Sequence, residues 1–521
     1  MKPIRLLSGF LTVGMWTLLS RVLGFARDIL IAGFLGAGPV AEAFLIAFSL
    51  PNMFRRFFAE GAFNTAFVPL FSKKLESGDD PQGFARDAFA GLASLLILFT
   101  LLAQLIMPWL VLAMAGGFAA DDRFGLAVDY GRIAFPYILF ISLAALFSGV
   151  LNAAGRFAAA AAAPVLLNII LVSALLIGAR VAGPDAAELQ GKILVWGVPV
   201  AGIAQLALVW IAAEKAGFII RPKRPRLTPD MRKLLAIAFP AMLAGGVVQI
   251  NLLVGRQVAS FFDGAIAWLS YADRLYQLPL GVVGIAIGIV LLPDLSRRLS
   301  ARDETGARNA FSRAGEVSLA LTIPAAVALV VIPLPLISVL FERGAFGPDD
   351  AAATAVALSI YGLGLPAFVL QKVLQPLYFA RSDTRTPFRF ALVAMVVNAV
   401  AAVGLAVVIG FAGAAIGTSL AAWVMVWLLA RGSRPMGEVA RFDDRFRTRI
   451  WRICLAAAVM GGVLWLCALA LGPLLNTGGW RYVALAVLVG IGIVTYFGAG
   501  QVLGAFRLSE FRQATRRSSN T

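Results

Sequence analysis

Apolar stretches of about twenty residues recur along the chain from Leu6 to Leu503, separated by short polar segments. A helix of about twenty residues spans a hydrocarbon core about 30 Å thick. Only 14% of the 521 residues are charged, against roughly 25% in an average soluble domain. The run 92–114 is apolar at odd and even positions alike, whereas the strands of a transmembrane barrel alternate apolar and polar residues. We therefore predict an all-α polytopic membrane protein and exclude a soluble domain and a barrel.

Hydropathy marks fourteen transmembrane helices, and two prolines are predicted to interrupt them. Several spans exceed twenty residues, which indicates tilt or projection beyond the bilayer. Pro51 and Pro279 are predicted to break spans 2 and 8, because proline removes a helical hydrogen bond. In order, the predicted spans are 6–34, 39–71, 87–114, 126–154, 160–182, 191–217, 233–258, 264–295, 315–341, 351–380, 387–408, 411–430, 449–472 and 481–506.

The basic residues are distributed unevenly between the two predicted sides of the membrane. The chain has 45 basic and 28 acidic residues, a formal net charge of +17. In the loops and at the span ends, 32 basic residues fall on the side of the N-terminus and five on the opposite side. Because cytoplasmic loops carry the excess of Lys and Arg, both termini are predicted to be cytoplasmic. The positive charge is then a topology signal, and no nucleic-acid partner is expected.

Histidine is absent from the sequence. This absence excludes a histidine-dependent catalytic triad, a His-ligated zinc site and a His-ligated haem. No cofactor and no metal site are predicted.

A weak internal repeat divides the chain. The segment 69–75 at the end of span 2 is echoed by 293–299 at the end of span 8, an offset of 224 residues or six spans. Six is an even number, so the two copies have the same orientation and are predicted to be related by an axis along the membrane normal. We predict an N-lobe at 1–218, a linker and C-lobe at 219–447, and an accessory helix pair with a cytoplasmic tail at 448–521.

Charged residues inside the spans are the most informative ones for function. A cation at a helix centre costs about 2.5–3.5 kcal/mol on insertion scales, so it persists mainly where it faces water, a partner or a ligand. Ion pairing or snorkelling accounts for some of these cations, namely Arg56, Arg132, Arg256 and Lys372. The others outnumber the nearby acids and predict an anion-binding polar cavity between the lobes; they are Arg21, Arg27, Arg55 and Arg274.

Several intramembrane acids accompany these cations. Arg21 and Asp28 are two turns apart on one face of span 1. Arg56 and Glu60 are at i, i+4 and can pair. The residues predicted to act in gating or charge pairing are Asp28, Glu42, Arg56, Glu60 and Asp273.

Three long motifs resemble the signatures of the MurJ (MviN) family of lipid II flippases. They are SRVLGFARD at 20–28, LPNMFRRFFAEGAF at 50–63 and YADRL at 271–275. The resemblance covers essentially the whole chain, including the additional helix pair at its end. It implies a transporter of the multidrug/oligosaccharidyl-lipid/polysaccharide (MOP) superfamily. Such a transporter moves lipid-linked peptidoglycan precursor from the cytoplasmic to the periplasmic leaflet of the bacterial inner membrane, and alternating access is the expected mechanism.

The resemblance also implies roles for particular residues. The cargo of such a flippase carries a pyrophosphate, which suits guanidinium groups, and the four cavity arginines match those of the family. Its isoprenoid tail stays among membrane lipids, along a groove leading to spans 13 and 14. Glu42 stands where the family has an aspartate. The acids that hold sodium in some members are missing from spans 7 and 11, so the resemblance does not imply sodium coupling here. Coupling to protons or to the membrane potential stays open.

Two alternatives come from other classes. A multidrug or cation antiporter of the same superfamily would share the two lobes, but a positive cavity should repel cationic drugs. A membrane enzyme acting on lipid-linked sugars would need catalytic or metal-binding acids near a membrane face. The paired aspartates of this chain instead sit in predicted loops, where such residues commonly cap helices. They are 79–80, 121–122, 349–350 and 443–444.

Overall fold

The computed structural model describes residues 6–56, 64–182 and 186–505, and within these ranges the chain is helical with no β-strand. Two short 3-10 helices, Gly116–Ala120 and Arg434–Ala440, join longer elements. The α-helices are α1 (Leu6–Leu35), α2 (Pro39–Arg55), α3 (Asn64–Ser77), α4 (Pro81–Leu105), α5 (Met107–Met114), α6 (Arg123–Ala134), α7 (Tyr137–Ala153), α8 (Ala158–Ala182), α9 (Ala187–Lys215), α10 (Pro229–Ala259), α11 (Ala265–Ser300), α12 (Glu304–Val331), α13 (Pro333–Phe341), α14 (Pro348–Phe379), α15 (Arg385–Ile409), α16 (Ala412–Gly432), α17 (Asp444–Leu475) and α18 (Trp480–Val502).

The all-α membrane architecture is confirmed, and each predicted span overlaps one or two of these helices. Among the described residues, ten helical stretches are long and apolar enough to cross a membrane. The count of fourteen transmembrane helices remains a prediction. Large apolar side chains remain exposed on many of these helices, as lipid-facing surfaces require: Val407 is 86% exposed on α15 and Val502 is 87% exposed on α18.

The predicted interruptions at Pro51 and Pro279 are wrong, because both prolines lie inside continuous helices, α2 and α11. Membrane helices tolerate proline where neighbouring groups satisfy the freed carbonyl. The breaks occur elsewhere. Ile106 separates α4 from α5, and Ile332 separates α12 from α13; in each case a proline stands in the first turn of the new helix. Proline fits that turn because its missing N–H would have no helical partner there.

Aspartates fix the starts of several helices. Asp80 and Asp443, which belong to predicted loop pairs, accept hydrogen bonds from Gly83 N at 2.8 Å and Phe446 N at 2.7 Å. Asp303 accepts from Gly306 N in the same way before α12. These carboxylates satisfy backbone donors that have no partner within the helix, as expected for capping residues.

The chain forms two compact units. The first comprises 1–267 with 343–346, and the second comprises 268–342 with 347–521. In the first unit, the rings of Phe89, Phe147 and Trp210 meet with centroids 5.0–5.9 Å apart. The lobe boundary at 218 is based on the sequence repeat and remains a prediction. Packing and an internal repeat need not divide a chain at the same residue.

The second unit contains two apolar cores and a close helix pair. One core surrounds Phe311 and Leu377, and the other lies between α12, α13, α17 and α18 around Leu464 and Leu488. Helices α15 and α16 approach closely at Gly417, where a Cβ atom would lie 2.9 Å from the backbone nitrogen of Ala402. Small residues let membrane helices approach in this way.

Candidate functional site

The predicted cavity residue Arg27 is buried in the first unit and held in one orientation. It lies on α1 at 6% exposure, beside Asp28 at 5%. Its Nε and Nη2 atoms donate to Asp28 Oδ1 at 3.0 and 2.7 Å, and Nη1 donates to Asn168 Oδ1 at 3.0 Å. The guanidinium also lies 5.6 Å from the centre of the Phe48 ring on α2. One carboxylate, one amide and one aromatic face therefore position this cation.

Asn168 is a functional candidate that the sequence analysis missed. This α8 residue links Arg27 to the backbone of α1, because its Nδ2 donates to Ser20 O at 2.9 Å. A Cβ atom at Gly24 would lie 3.5 Å from the same Nδ2. An amide within a predicted membrane span indicates a buried polar contact, so Asn168 was recognisable in the sequence.

The other predicted residues of α1 and α2 are less buried. Arg21 is exposed, and Arg55 is half-buried. Arg56 caps the end of α2 and is exposed. Asp28, predicted to act in gating or charge pairing, pairs with its neighbour Arg27. Glu60, the predicted partner of Arg56, lies outside the described residues.

Arg274 and Asp273 lie on α11 in the second unit. Arg274 is exposed. Asp273 accepts a hydrogen bond from Gln277 Nε2, one turn further along the helix. Tyr271 and Tyr276 are buried in the same segment, at 2% and 8% exposure. Helix α11 thus presents Arg274 away from the core of its own unit, and joint binding of one anion by all four arginines remains a prediction.

Glu42 lies in a buried ionic network that the sequence analysis did not anticipate. The carboxylate is 1% exposed and accepts from Arg123 Nη1 at 2.9 Å and from the backbone nitrogen of Ile266 at 3.0 Å. Arg123, which the predicted spans leave in a loop, is 5% exposed. It also contacts Asp121 and, at 2.9 Å, the exposed Asp263.

The network is closed by an aromatic ring and a short helix. Arg123 Cζ lies 4.5 Å from the centre of the Phe118 ring, a cation–π contact. The hydrogen bond from Arg123 lowers the pKa of the Asp121 carboxyl. The 3-10 helix that carries Phe118 donates from Gly116 N to Gln257 Oε1 at 3.0 Å and from Gly117 N to Ser260 Oγ at 2.9 Å. The network therefore ties the start of α2 to the end of α10 and the start of α11.

A second ionic cluster, between the interior of α12 and the start of α17, was also missed in the sequence. Glu316 is 7% exposed and accepts from Arg449 Nη1 at 2.6 Å. Arg313 pairs with both Glu316 and Asp443. Glu316 lies at the boundary of the predicted span 315–341. An acid at a span end rich in arginine was the sequence signal of an ionic cluster. No group of three or more acidic or cysteine side chains able to hold a metal ion occurs among the described residues.

Comparison with known proteins gives concordant results. The family model described as "Lipid II flippase MurJ" matches residues 31–479. A "Probable lipid II flippase MurJ" of Rhizobium meliloti (strain 1021) is 44% identical over 522 residues, covering 99% of this chain and 97% of the relative. A solved structure described as "Lipid II flippase MurJ, inward closed conformation" superposes with a TM-score of 0.79 at 26% identity, covering 94% of this chain and 98% of the other. An inward-facing multidrug resistance MATE transporter of the MOP superfamily gives 0.59 at 15% identity, covering 81% and 95%, and shares the fold alone.

Proposed function

Because the chain belongs to the MurJ family, we propose that it moves lipid II between the leaflets of the bacterial inner membrane by alternating access. It is a multi-pass membrane transporter and not an enzyme. Its activity is that of a lipid II flippase, with lipid II as substrate. The finer proposal concerns how the head group is bound, where the tail lies and what drives the cycle.

The head group binds to the arginines of α1, α2 and α11. The observation that carries this proposal is the fixed, buried Arg27, whose guanidinium is oriented by Asp28 and Asn168. Such preorganisation lowers the entropy lost when an anion binds. Arg21, Arg27 and Arg55 carry three positive charges, and Asp28 neutralises one of them. The net positive charge that remains attracts an anion, and pyrophosphate oxygens suit guanidinium groups.

The isoprenoid tail lies against the accessory helices. An apolar groove of about 290 Å³ occurs in the second unit between α12, α13, α17 and α18. Pro324, Ile332, Leu464 and Tyr496 are among its lining residues. The Tyr496 hydroxyl donates to Ala320 O at 2.6 Å, so its polar group is satisfied by the protein. An apolar chain can therefore enter the groove without leaving a buried donor unpaired.

Alternating access requires that the binding site open to one side at a time, and it predicts that a locked chain cannot transport. A reversible disulfide between cysteines introduced near one end of α2 and of α11, on a background lacking Cys454 and Cys467, should stop translocation in liposomes. Reduction should restore translocation. The same assay with an imposed proton gradient, sodium gradient or membrane potential identifies the driving force. Full activity of the oxidised protein would contradict alternating access.

The cationic site is tested at Arg274. Arg274→Ala removes a cation, and Arg274→Lys retains the charge but loses the planar fork. We expect Ala to abolish function and Lys to leave it severely impaired. A lost charge-assisted hydrogen bond of about 1.5–3 kcal/mol corresponds to roughly a tenfold to hundredfold loss of affinity. Each variant is supplied, at equal membrane abundance, to a bacterium depleted of its own flippase, and lysis and precursor accumulation are followed.

The matched control is Arg385→Ala, which removes an exposed arginine from the same unit. This variant should support growth. Normal growth with Arg274→Ala would remove Arg274 from the binding site. The antiporter alternative has no supporting observation of its own, because the likeness to MATE transporters is one of fold.

A further inference from the structure

The segment between α9 and α10 forms an extended cationic strap, defined here as residues 217–228. It has no helical structure and contains Arg221, Lys223, Arg224 and Arg226 within six residues. Prolines at positions 222 and 225 alternate with these cations. Proline fixes an extended backbone at its own and the preceding position. The strap therefore presents its charged side chains from a chain of restricted conformation.

The N-terminal half of the strap is attached to the first unit. Gln82 Nε2 donates to Gly217 O at 2.9 Å, and Arg86 Nε donates to Ile219 O at 3.0 Å. Ile220 is fully buried. The Phe218 ring lies 5.9 Å from the Phe71 ring. The strap is thus a built surface of the protein, on the side where α9 ends and α10 begins.

The acids around the strap are already engaged. Asp87 pairs with Lys223 at 2.6 Å. Asp79 and Asp230 both pair with Lys74, at 2.9 and 3.0 Å. Within the described part of the chain, the three strap arginines have no ion pair or hydrogen bond, and all three are exposed: Arg221, Arg224 and Arg226.

Apolar side chains are exposed beside these free cations. Ile219 is 43% exposed and Leu227 is 60% exposed, one on each side of the arginines. Leu235 and Phe239 continue the exposed apolar surface along α10, at 48% and 59%. A soluble acidic partner requires only the charges. Cations interleaved with exposed apolar side chains at the end of a membrane helix fit the boundary between head groups and acyl chains.

We propose that the strap is a binding site for anionic phospholipid head groups of the leaflet that it faces. The three unpaired arginines contact lipid phosphates, and Ile219 and Leu227 enter the acyl region beside them. A polybasic segment next to a membrane helix contributes about 1 kcal/mol per cation near an anionic surface. The site lies outside the helices that carry Arg21, Arg27, Arg55 and Arg274, and it recruits bulk phospholipid rather than the transported lipid.

The proposal is tested by fluorescence quenching with the full chain in phosphatidylcholine nanodiscs. A single cysteine replaces Pro225, on a background of Cys454→Ala and Cys467→Ala, and carries a fluorophore. Trace nitroxide-labelled phosphatidylglycerol should quench this fluorophore at least roughly fivefold more per molecule than nitroxide-labelled phosphatidylcholine, the ratio that about 1 kcal/mol corresponds to. Raising the salt to about 1 M, where the screening length is about 3 Å, should reduce the ratio.

Three variants separate charge from structure. Replacing Arg221, Arg224 and Arg226 together by Gln should bring the quenching ratio to about 1, and replacing them by Lys should preserve it. The control removes three exposed arginines from the second unit, Arg385→Gln, Arg389→Gln and Arg434→Gln, and should leave the ratio unchanged. An unchanged thermal unfolding midpoint checks that each variant is folded.

Equal quenching by the two lipids in the parent protein would overturn the proposal. So would an unaltered ratio in the triple Gln variant. If soluble polyglutamate changes the fluorescence while the two lipids quench equally, the strap binds an acidic polypeptide and the lipid site is wrong. The measurement needs no transport, so its result is independent of the flippase mechanism.

Discussion

A single guanidinium, Arg123, connects three parts of the first unit. Its Nη1 contacts Glu42 on α2, its Nη2 contacts Asp263 before α11, and its ring partner Phe118 lies in the intervening 3-10 helix. Glu42 and Arg123 are both almost fully buried. Buried ion pairs add little net stability, yet removal of one partner leaves an uncompensated charge. The main consequence of losing Arg123 is therefore a buried Glu42 carboxylate without a cation.

Arg123→Ala should destabilise the protein by about 3–5 kcal/mol, because it leaves the Glu42 carboxylate buried without its cation. Thermal unfolding in detergent micelles, followed by tryptophan fluorescence, measures the change. Arg180→Ala, which removes an exposed arginine of α8, should change the midpoint little. In the double variant with Glu42→Gln, most of the added loss should disappear. Equal midpoints for the Arg123 and Arg180 variants would show that the network does not hold the unit together.

At the scale of elements, the contact between α15 and α16 depends on glycines. A Cβ at Gly413 would lie 2.5 Å from Ala406 N, and one at Gly417 would lie 2.9 Å from Ala402 N. Membrane helices have no hydrophobic effect to drive their association, so close backbone packing through small residues takes its place. Elsewhere on its surface α15 carries exposed valines, and the side that faces these glycines packs against protein.

Gly417→Val should separate α15 from α16 and destabilise the second unit, by about 1–3 kcal/mol as in other overpacked interiors. Gly404→Val is the matched control, because Gly404 lies on α15 and a Cβ atom there would have no neighbouring atom within 4 Å. The midpoint temperature of thermal aggregation in detergent should fall for Gly417→Val only. A similar fall in both would attribute the effect to β-branching in the helix rather than to packing.

For the whole molecule, the distribution of Lys and Arg predicts orientation. The strap at 217–228 is strongly basic. The loop between α13 and α14 carries Glu342 and Arg343, and Asp349 and Asp350 follow in the first turn of α14. The positive-inside rule predicts that the first is cytoplasmic and the second periplasmic. The same rule predicts that both termini are cytoplasmic.

Single cysteines at Pro225 and Asp349, on a background lacking Cys454 and Cys467, should label oppositely with an impermeant thiol reagent. In intact spheroplasts the reagent should reach position 349, which is exposed, and should reach position 225 only after the membrane is permeabilised. Labelling of both positions from outside would defeat the predicted topology.

Much of the site could be predicted at the level of residue type but not of partner. Hydropathy identified Arg27, Asp28 and Glu42 as costly intramembrane charges, and the structure places all three at low exposure. Hydropathy did not identify the partners of these charges. Asn168 is 141 residues from Arg27 in sequence, and Arg123 is 81 residues from Glu42. Periodicity along one helix reports which residues share a face, whereas a partner on another helix depends on how the helices pack.

The sequence by itself determined the class of the protein, because a bilayer admits only helices or closed barrels and the apolar runs had the length and pattern of helices. Hydropathy also located the approximate extent of most helices. Only the tertiary structure decided that Pro51 and Pro279 lie within continuous helices, that Asp28 pairs with Arg27, and that Arg123 is buried with Glu42. The pair of Arg123 and Glu42 depends on how helices distant in sequence pack together, and one-dimensional hydropathy contains no information about such packing.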